Sequence, residues 1–153
     1  MRGIYHFYKV SDHLSCAGQP TEDQLRQLAA EKYEVIINLG LLNTQYALPD
    51  EAGLVKELGI DYYHIPVNFG KPLLAELKDF IGLMDGHRDK KIMVHCAANY
   101  RASVFTGLYL LAAGQMDKEE MEDLIDDVWQ PNTVWRQFLG EGINFVEGGN
   151  LDI

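Results

Sequence analysis

The chain has 153 residues, 47% hydrophobic and 24% charged, which fits one globular domain able to bury a core of its own. Thirteen Lys and Arg against 23 Asp and Glu give a formal net charge of −10, a field that repels nucleic acid and anionic membranes. Two cysteines, Cys16 and Cys96, exclude a disulfide framework. No apolar run reaches spanning length and the N-terminus lacks a signal-peptide pattern, so cytoplasm is the default location, with a trimmed leader left open.

Strand and helix signals alternate along a single domain expected over residues 1–153. Ile4 to Val10 and Leu14 to Ala17 read as strands around a polar turn. Thr21-Glu22-Asp23-Gln24 reads as a capping box opening a helix to about Lys32. Val35 to Leu39 is a buried strand by its β-branched density. A helix over Pro49 to Leu58 ends at Gly59, Tyr62 to Val67 is the next strand, and Leu73 to Met84 the next helix. After the strand before Cys96 only helices remain: Ala102 to Ala113, Lys118 to Val128, and Thr133 to Phe145. The pattern predicts an α/β fold, a central mainly parallel sheet flanked by helices, with a helical C-terminal part.

Lys91 to Ser103 carries the chemistry. Ile92-Met93-Val94 delivers His95 and Cys96, and Arg101 follows just before an apolar helical run. A strand, a tight loop and a helix N-terminus in that order form an anion cradle of backbone N–H groups at the positive end of a helix dipole. That setting lowers a thiol pKa, which makes Cys96 a nucleophile near neutral pH. The planar fork of Arg101 suits two oxygens of a phosphate or sulfate-like group. The plainer alternative is a buried cysteine and a surface arginine; the ordered set favours the anion site. Ligands bind beyond the carboxyl ends of parallel strands. Asn38 to Gly40 and Val67 to Gly70 lie at such ends with Cys96, which makes them candidates for one pocket wall.

With Ala17-Gly18-Gln19-Pro20-Thr21, Ile36 to Leu39 and His64-Ile65-Pro66-Val67 in the same order, the chain resembles the cysteine-dependent protein tyrosine and dual-specificity phosphatase superfamily. It looks closest to a small bacterial phosphatase-like branch, over about Tyr8 to Gln115. The resemblance implies that Cys96 attacks phosphorus to form a phosphocysteine, that Arg101 clamps the phosphate, and that His95 shapes the loop. It implies that Ala97, Ala98, Asn99, Tyr100, Asn68 and Ser103 contact the substrate. The partner would be a phosphorylated small molecule or a phosphoprotein, with phosphate or sulfate able to occupy the loop. No cofactor, metal, nucleic acid or membrane is expected; His6, His13, His64 and His87 show no metal-ligand spacing.

Three features depart from the family pattern. Four residues instead of five separate Cys96 from Arg101, and the loop lacks glycine, so Asn99 is expected to supply the left-handed conformation. The hydroxyl expected directly after the arginine, which assists the second step, is Ala102, with Ser103 one place late. Asn68 stands where the family has its general acid, a loss that typically costs ~10²–10⁴ in rate. Asp61, Asp50 and Glu51 could substitute only if the fold brought one near, which is not expected. The reading is a phosphomonoester hydrolase of reduced rate. A phosphate-binding pseudophosphatase and a rhodanese-like sulfurtransferase with a persulfide on Cys96 stay open.

Cys16 is either a buried small residue or a disulfide partner for an oxidised Cys96. Tyr100 either walls the pocket or packs beneath it. Trp129, Trp135 and Phe138 suit a helix packing face. The acidic run from Glu119 to Asp127, with Met121, Leu124, Ile125 and Val128 interleaved, reads as an amphipathic surface helix.

Overall fold

The computed structural model describes residues 3–148, so residues 1–2 and 149–153 of the expected domain lie outside the described residues. In chain order the elements are β1 (Tyr8–Ser11), β2 (Leu14–Ala17), α1 (Glu22–Ala30), β3 (Val35–Asn38), α2 (Glu51–Glu57), β4 (Asp61–His64), α3 (Leu74–Gly86), β5 (Ile92–His95), α4 (Tyr100–Ala112), α5 (Lys118–Val128) and α6 (Thr133–Glu147). The strands form one sheet in the order β1-β2-β5-β3-β4, with only the β1–β2 pair antiparallel. This is the expected mainly parallel α/β arrangement. No described helix is long and apolar enough to cross a membrane.

Strand β5 enters last and inserts between β2 and β3, so its carboxyl end lies among those of its neighbours. All four of its residues are buried, as a central parallel strand covered on both faces requires. The pleat then sorts side chains by parity. Ile92, Val94 and Cys96 join the core beneath the C-terminal helices, with Phe80, Phe105, Leu108 and Trp135. Met93 faces the other layer, with Leu25 and Leu28 of α1 and Val55 of α2. His95 follows Met93 by two, so the same alternation sends the imidazole toward α2 and the thiol of Cys96 toward α4. One strand end thus serves two layers.

Local chemistry explains the element ends. Thr21 and Gln24 form the reciprocal capping box at α1, and Asp117 and Glu120 form another at α5. Asp50 caps α2 by accepting from the Gly53 N–H. Two strand expectations need correction. The first strand begins at Tyr8, because residues 3–7 form a turn with His6 at φ 49° and the Phe7 N–H donating to the Ile4 carbonyl. The fourth ends at His64, because Pro66 lacks a ladder donor while Val67 N–H bends in to the Leu39 carbonyl. α4 starts at Tyr100, two residues earlier than the apolar pattern suggests. Trp129 ends α5 at its C-cap, so it does not share a helix face with Trp135 and Phe138 on α6.

Candidate active site

The loop from Cys96 to Arg101 is shaped by its neighbours. Cys96 N–H donates to the Ala17 carbonyl (3.2 Å), and the Ala97 carbonyl accepts from Gln19 N–H (3.0 Å). The Ala98 carbonyl accepts from His6 Nδ1 (3.0 Å), and Asn99 Nδ2 donates to the His6 carbonyl (2.8 Å). The loop carbonyls are thereby turned outward. Asn99 sits at φ 71° and ψ 4°, the left-handed turn that the missing glycine left for it. Among the described residues, the N–H groups of Ala97, Ala98, Tyr100, Arg101 and Ala102 have no acceptor in the protein. They gather at the positive end of the α4 dipole.

Gly18 explains why the Gly18-Gln19-Pro20 turn carries a glycine. A Cβ there would lie 2.7 Å from the Ala97 carbonyl oxygen and 2.9 Å from that of Tyr5, so any side chain would push the loop out of place. On the other flank, a Cβ on Gly40 would come within 3.7 Å of the Cys96 Cα. The His64 imidazole, on the edge strand, donates to the Gly40 carbonyl (2.6 Å).

Arg101 is 9% exposed. One Nη donates to the Val67 carbonyl (2.9 Å), its guanidinium lies 6.0 Å from the Phe69 ring, and its buried Nε has no partner among the described residues. The guanidinium is therefore tied on one side, while its buried Nε is left without a partner among the described residues. Phe69 packs among Tyr100, Trp129 and Trp135, and Trp135 Nε1 donates to the Phe69 carbonyl (2.7 Å). Tyr100 stacks on Trp129 with centroids 4.4 Å apart and planes 7° from parallel. Pairs of this kind contribute about 0.5–1.5 kcal/mol beyond their burial.

Behind the cradle, His95 is fully buried, with Nε2 2.5 Å from Glu51 Oε2 and Nδ1 3.3 Å from the Cys96 carbonyl oxygen. The other Glu51 oxygen accepts from Gln19 Nε2 (2.7 Å). Burial raises the Glu51 pKa, but the His95 hydrogen bond and charge, the Gln19 bond and the His64 charge outweigh it and hold the carboxyl below its ordinary value. Sequence reasoning weighed Glu51 only as a general acid. The fold instead brings it to the rear of the loop, 44 residues upstream of His95. His6, Phe69 and Trp129 also carry no local signal for their places beside the loop.

The expected substrate contacts divide. Ala97, Ala98, Asn99 and Tyr100 lie in the loop between Cys96 and Arg101. Asn68 is exposed on the adjoining turn, its Oδ1 accepting from the Gly70 N–H (2.8 Å). Ser103 is fully buried one turn into the helix, its hydroxyl donating to the Tyr100 carbonyl (3.0 Å). Burial pushes the Cys16 thiol up to about 12; the Asn99 side chain opposes that shift and nearby Cys96 adds to it. Cys16 pairs in register with Val94, two residues short of Cys96. Strand geometry then separates the two cysteine Cα atoms by about 8 Å, beyond the roughly 7 Å a disulfide spans without backbone movement.

A mainly parallel sheet whose central strand delivers a cysteine into a loop closed by an arginine at a helix N-terminus is the arrangement that the sequence resemblance implied. The chain belongs to the family of a Shewanella putrefaciens CN-32 protein described as "Putative phosphatase (DUF442)". The two are 34% identical, with a TM-score of 0.85 over 92% of this chain and 93% of that one. The fold is shared more distantly with PTPMT1 in complex with PI(5)P, at 16% identity and a TM-score of 0.78, over 93% of this chain and 97% of that one. "Beta-lactamase hydrolase-like protein" from two strains of Xylella fastidiosa is 27% identical over 121 residues, 75% of this chain. The chain spans only 27% of the length of these curated relatives. No protein-family model matches.

Proposed function

We propose that the chain hydrolyses phosphomonoesters through a phosphocysteine on Cys96, at a rate limited by proton delivery when the leaving group is an alkoxide and by breakdown of the phosphocysteine when it is an aryl oxide. The observation that carries this reading is the cradle itself: N–H groups without an acceptor stand at a helix N-terminus beside a buried arginine whose Nε has no partner among the described residues. Such preorganised donors favour the charge of a transferring phosphoryl group. The substrate is a phosphorylated small molecule or phosphoprotein, and free phosphate or sulfate fits the same donors.

In the first step the Cys96 sulfur bonds to phosphorus as the P–O ester bond breaks. The alcohol leaves with the bonding pair and takes its proton from water, since Asn68 holds no acidic proton to give. In the second step water attacks the phosphocysteine, the S–P bond breaks toward sulfur, and inorganic phosphate departs. Arg101 holds two phosphoryl oxygens through both steps. Ala97, Ala98 and Tyr100 donate backbone N–H groups, Asn99 sets the turn, and His95, anchored by Glu51, fixes the carbonyl side of Cys96. The Ser103 hydroxyl is already bonded within its helix, so the second step proceeds without it.

The test is hydrolysis of an aryl phosphate by wild type and Cys96→Ser, side by side, from mildly acidic to neutral pH. Turnover in wild type alone is the expected result. Folded protein inactive in both forms would refute hydrolysis and direct the next assay to sulfur transfer from thiosulfate.

A further inference from the structure

Behind the cradle stands a buried polar group, and the mechanism above gives one member of it, the Gln19 side chain, no role. Glu51 is 3% exposed. Among the described residues its carboxylate accepts from two side chains, His95 Nε2 (2.5 Å) at Oε2 and Gln19 Nε2 (2.7 Å) at Oε1. The second hydrogen of the Gln19 amide goes to the Pro20 carbonyl (2.9 Å), which fixes the orientation of that amide. His64 and Tyr62 of β4 also act on Glu51 through their charges, but their hydrogen bonds go elsewhere, to the Gly40 carbonyl and the Asn38 amide.

We propose that Gln19 and Glu51 are positioning residues that charge the cradle from behind: they keep both nitrogens of His95 protonated, and the imidazolium polarises the peptide between Cys96 and Ala97. The proposal rests on the phosphatase reading for its bearing on turnover. The neighbours of His95 admit only one state of the ring. Nε2 faces the Glu51 carboxylate and Nδ1 lies 3.3 Å from the Cys96 carbonyl oxygen, so each nitrogen meets an oxygen that only accepts. A neutral imidazole carries one hydrogen and one lone pair, and would turn that lone pair toward a buried oxygen. Two N–H groups satisfy both neighbours.

One peptide unit connects this charge to the cradle. The Cys96 carbonyl and the Ala97 N–H belong to the same amide. Its oxygen faces His95, and its N–H is one of the loop donors without an acceptor. A charged donor on the oxygen draws electron density from the amide and strengthens the N–H as a donor, because hydrogen bonds in series reinforce one another. The relay from Gln19 through Glu51 and His95 therefore ends at a donor of the cradle.

Folding alone gives little reason for such a pair. Withdrawing two charges from water offsets most of their attraction, so an apolar pair of the same size serves a core as well or better. Leu25, Leu28, Val55 and Met93 fill the layer toward which His95 points, and apolar side chains would suit it. The ion pair supplies what an apolar pair cannot. Its positive member stands on the loop side, oriented before any anion arrives, and a preorganised charge of this kind is effective in a site shielded from water.

Nitrogen NMR of the histidine-labelled full chain tests this directly. At neutral pH both ring nitrogens of His95 should carry a proton in wild type, and one should lose it in Glu51→Gln. Calorimetry with inorganic phosphate should show binding weakened at least about threefold in Glu51→Gln, kcat/KM for phenyl phosphate should fall at least about tenfold, and Gln19→Ala should show smaller losses of both. A bare nitrogen on His95 in wild type would overturn the proposal whether or not the variants fold, and would leave the phosphatase reading standing. Folded Glu51→Gln with wild-type phosphate affinity and turnover would overturn it as well. Phosphate binding weakened in Glu51→Gln, with no hydrolysis of phenyl phosphate by wild type, would uphold the relay in an anion site and overturn the phosphatase reading alone.

Discussion

The loop 96–101 and the turn 67–70 meet at one hydrogen bond, Arg101 to the Val67 carbonyl, yet they carry their chemistry differently. The loop works through its backbone. Gln19, His6, Asn99 and Ala17 hold it from several directions, and its donors remain free whichever small side chains sit at 97 and 98. The turn is structurally secure as well, with Phe69 locked among aromatic rings and Gly70 N–H taken by Asn68. What it offers chemically depends on one side chain, and that side chain is an amide. On the proposed reading, anion binding is shared among many backbone donors, whereas proton donation would reside in one side chain.

Substitutions at four positions separate these two properties. Arg101→Ala removes the guanidinium from the cradle and its tie to the turn; kcat/KM for an aryl phosphate should fall by about 10³-fold. Glu51→Ala strips the buried partner from His95 and should cost about 3–5 kcal/mol in denaturant unfolding. The pH dependence has a defined sign. The Glu51 carboxyl is held below its ordinary value of 4.5 in the folded state, so its contribution is present above that value and fades as the pH falls through the folded pKa. The stability gap between wild type and Glu51→Gln should therefore be widest above about pH 5 and narrow on further acidification.

Asn68→Asp tests the turn. It should raise kcat by up to ~10²-fold on alkyl phosphates, and by much less on aryl phosphates, whose leaving groups need the proton less. An equal gain on both would show that proton delivery does not limit the reaction. Ser103→Ala should have the smallest effect, within about twofold in kcat, because the hydroxyl already donates to the Tyr100 carbonyl. A large loss there would show that this hydroxyl leaves its helix bond during turnover.

Much of the fold was legible because it is written in short-range patterns. The β-branched run at β3, the Thr21–Gln24 box and the strand–loop–helix sequence around Cys96 each encode their own geometry. The left-handed Asn99 was readable for the same reason, since a loop without glycine leaves asparagine as the residue that tolerates that conformation best. The first strand was read too long because Ile4 and Phe7 supply apolar side chains, while the turn at His6 is imposed by contacts with Ala98 and Asn99. Glu51 was not legible as a partner of His95. Its local signal is that of an acidic residue in the first turn of a helix. Only strand parity, which sends His95 to the α2 layer, reveals the pairing, and parity matters only once the sheet order is known.

The most direct measurement is rapid acid quench of the wild-type protein during turnover of an aryl phosphate, followed by peptide mass spectrometry. A phosphoryl group on Cys96 that accumulates in the steady state is expected, because no free hydroxyl assists the second step. Steady turnover with no phosphoryl group on Cys96, and with activity retained in Cys96→Ser, would contradict cysteine-dependent phosphoryl transfer at this loop.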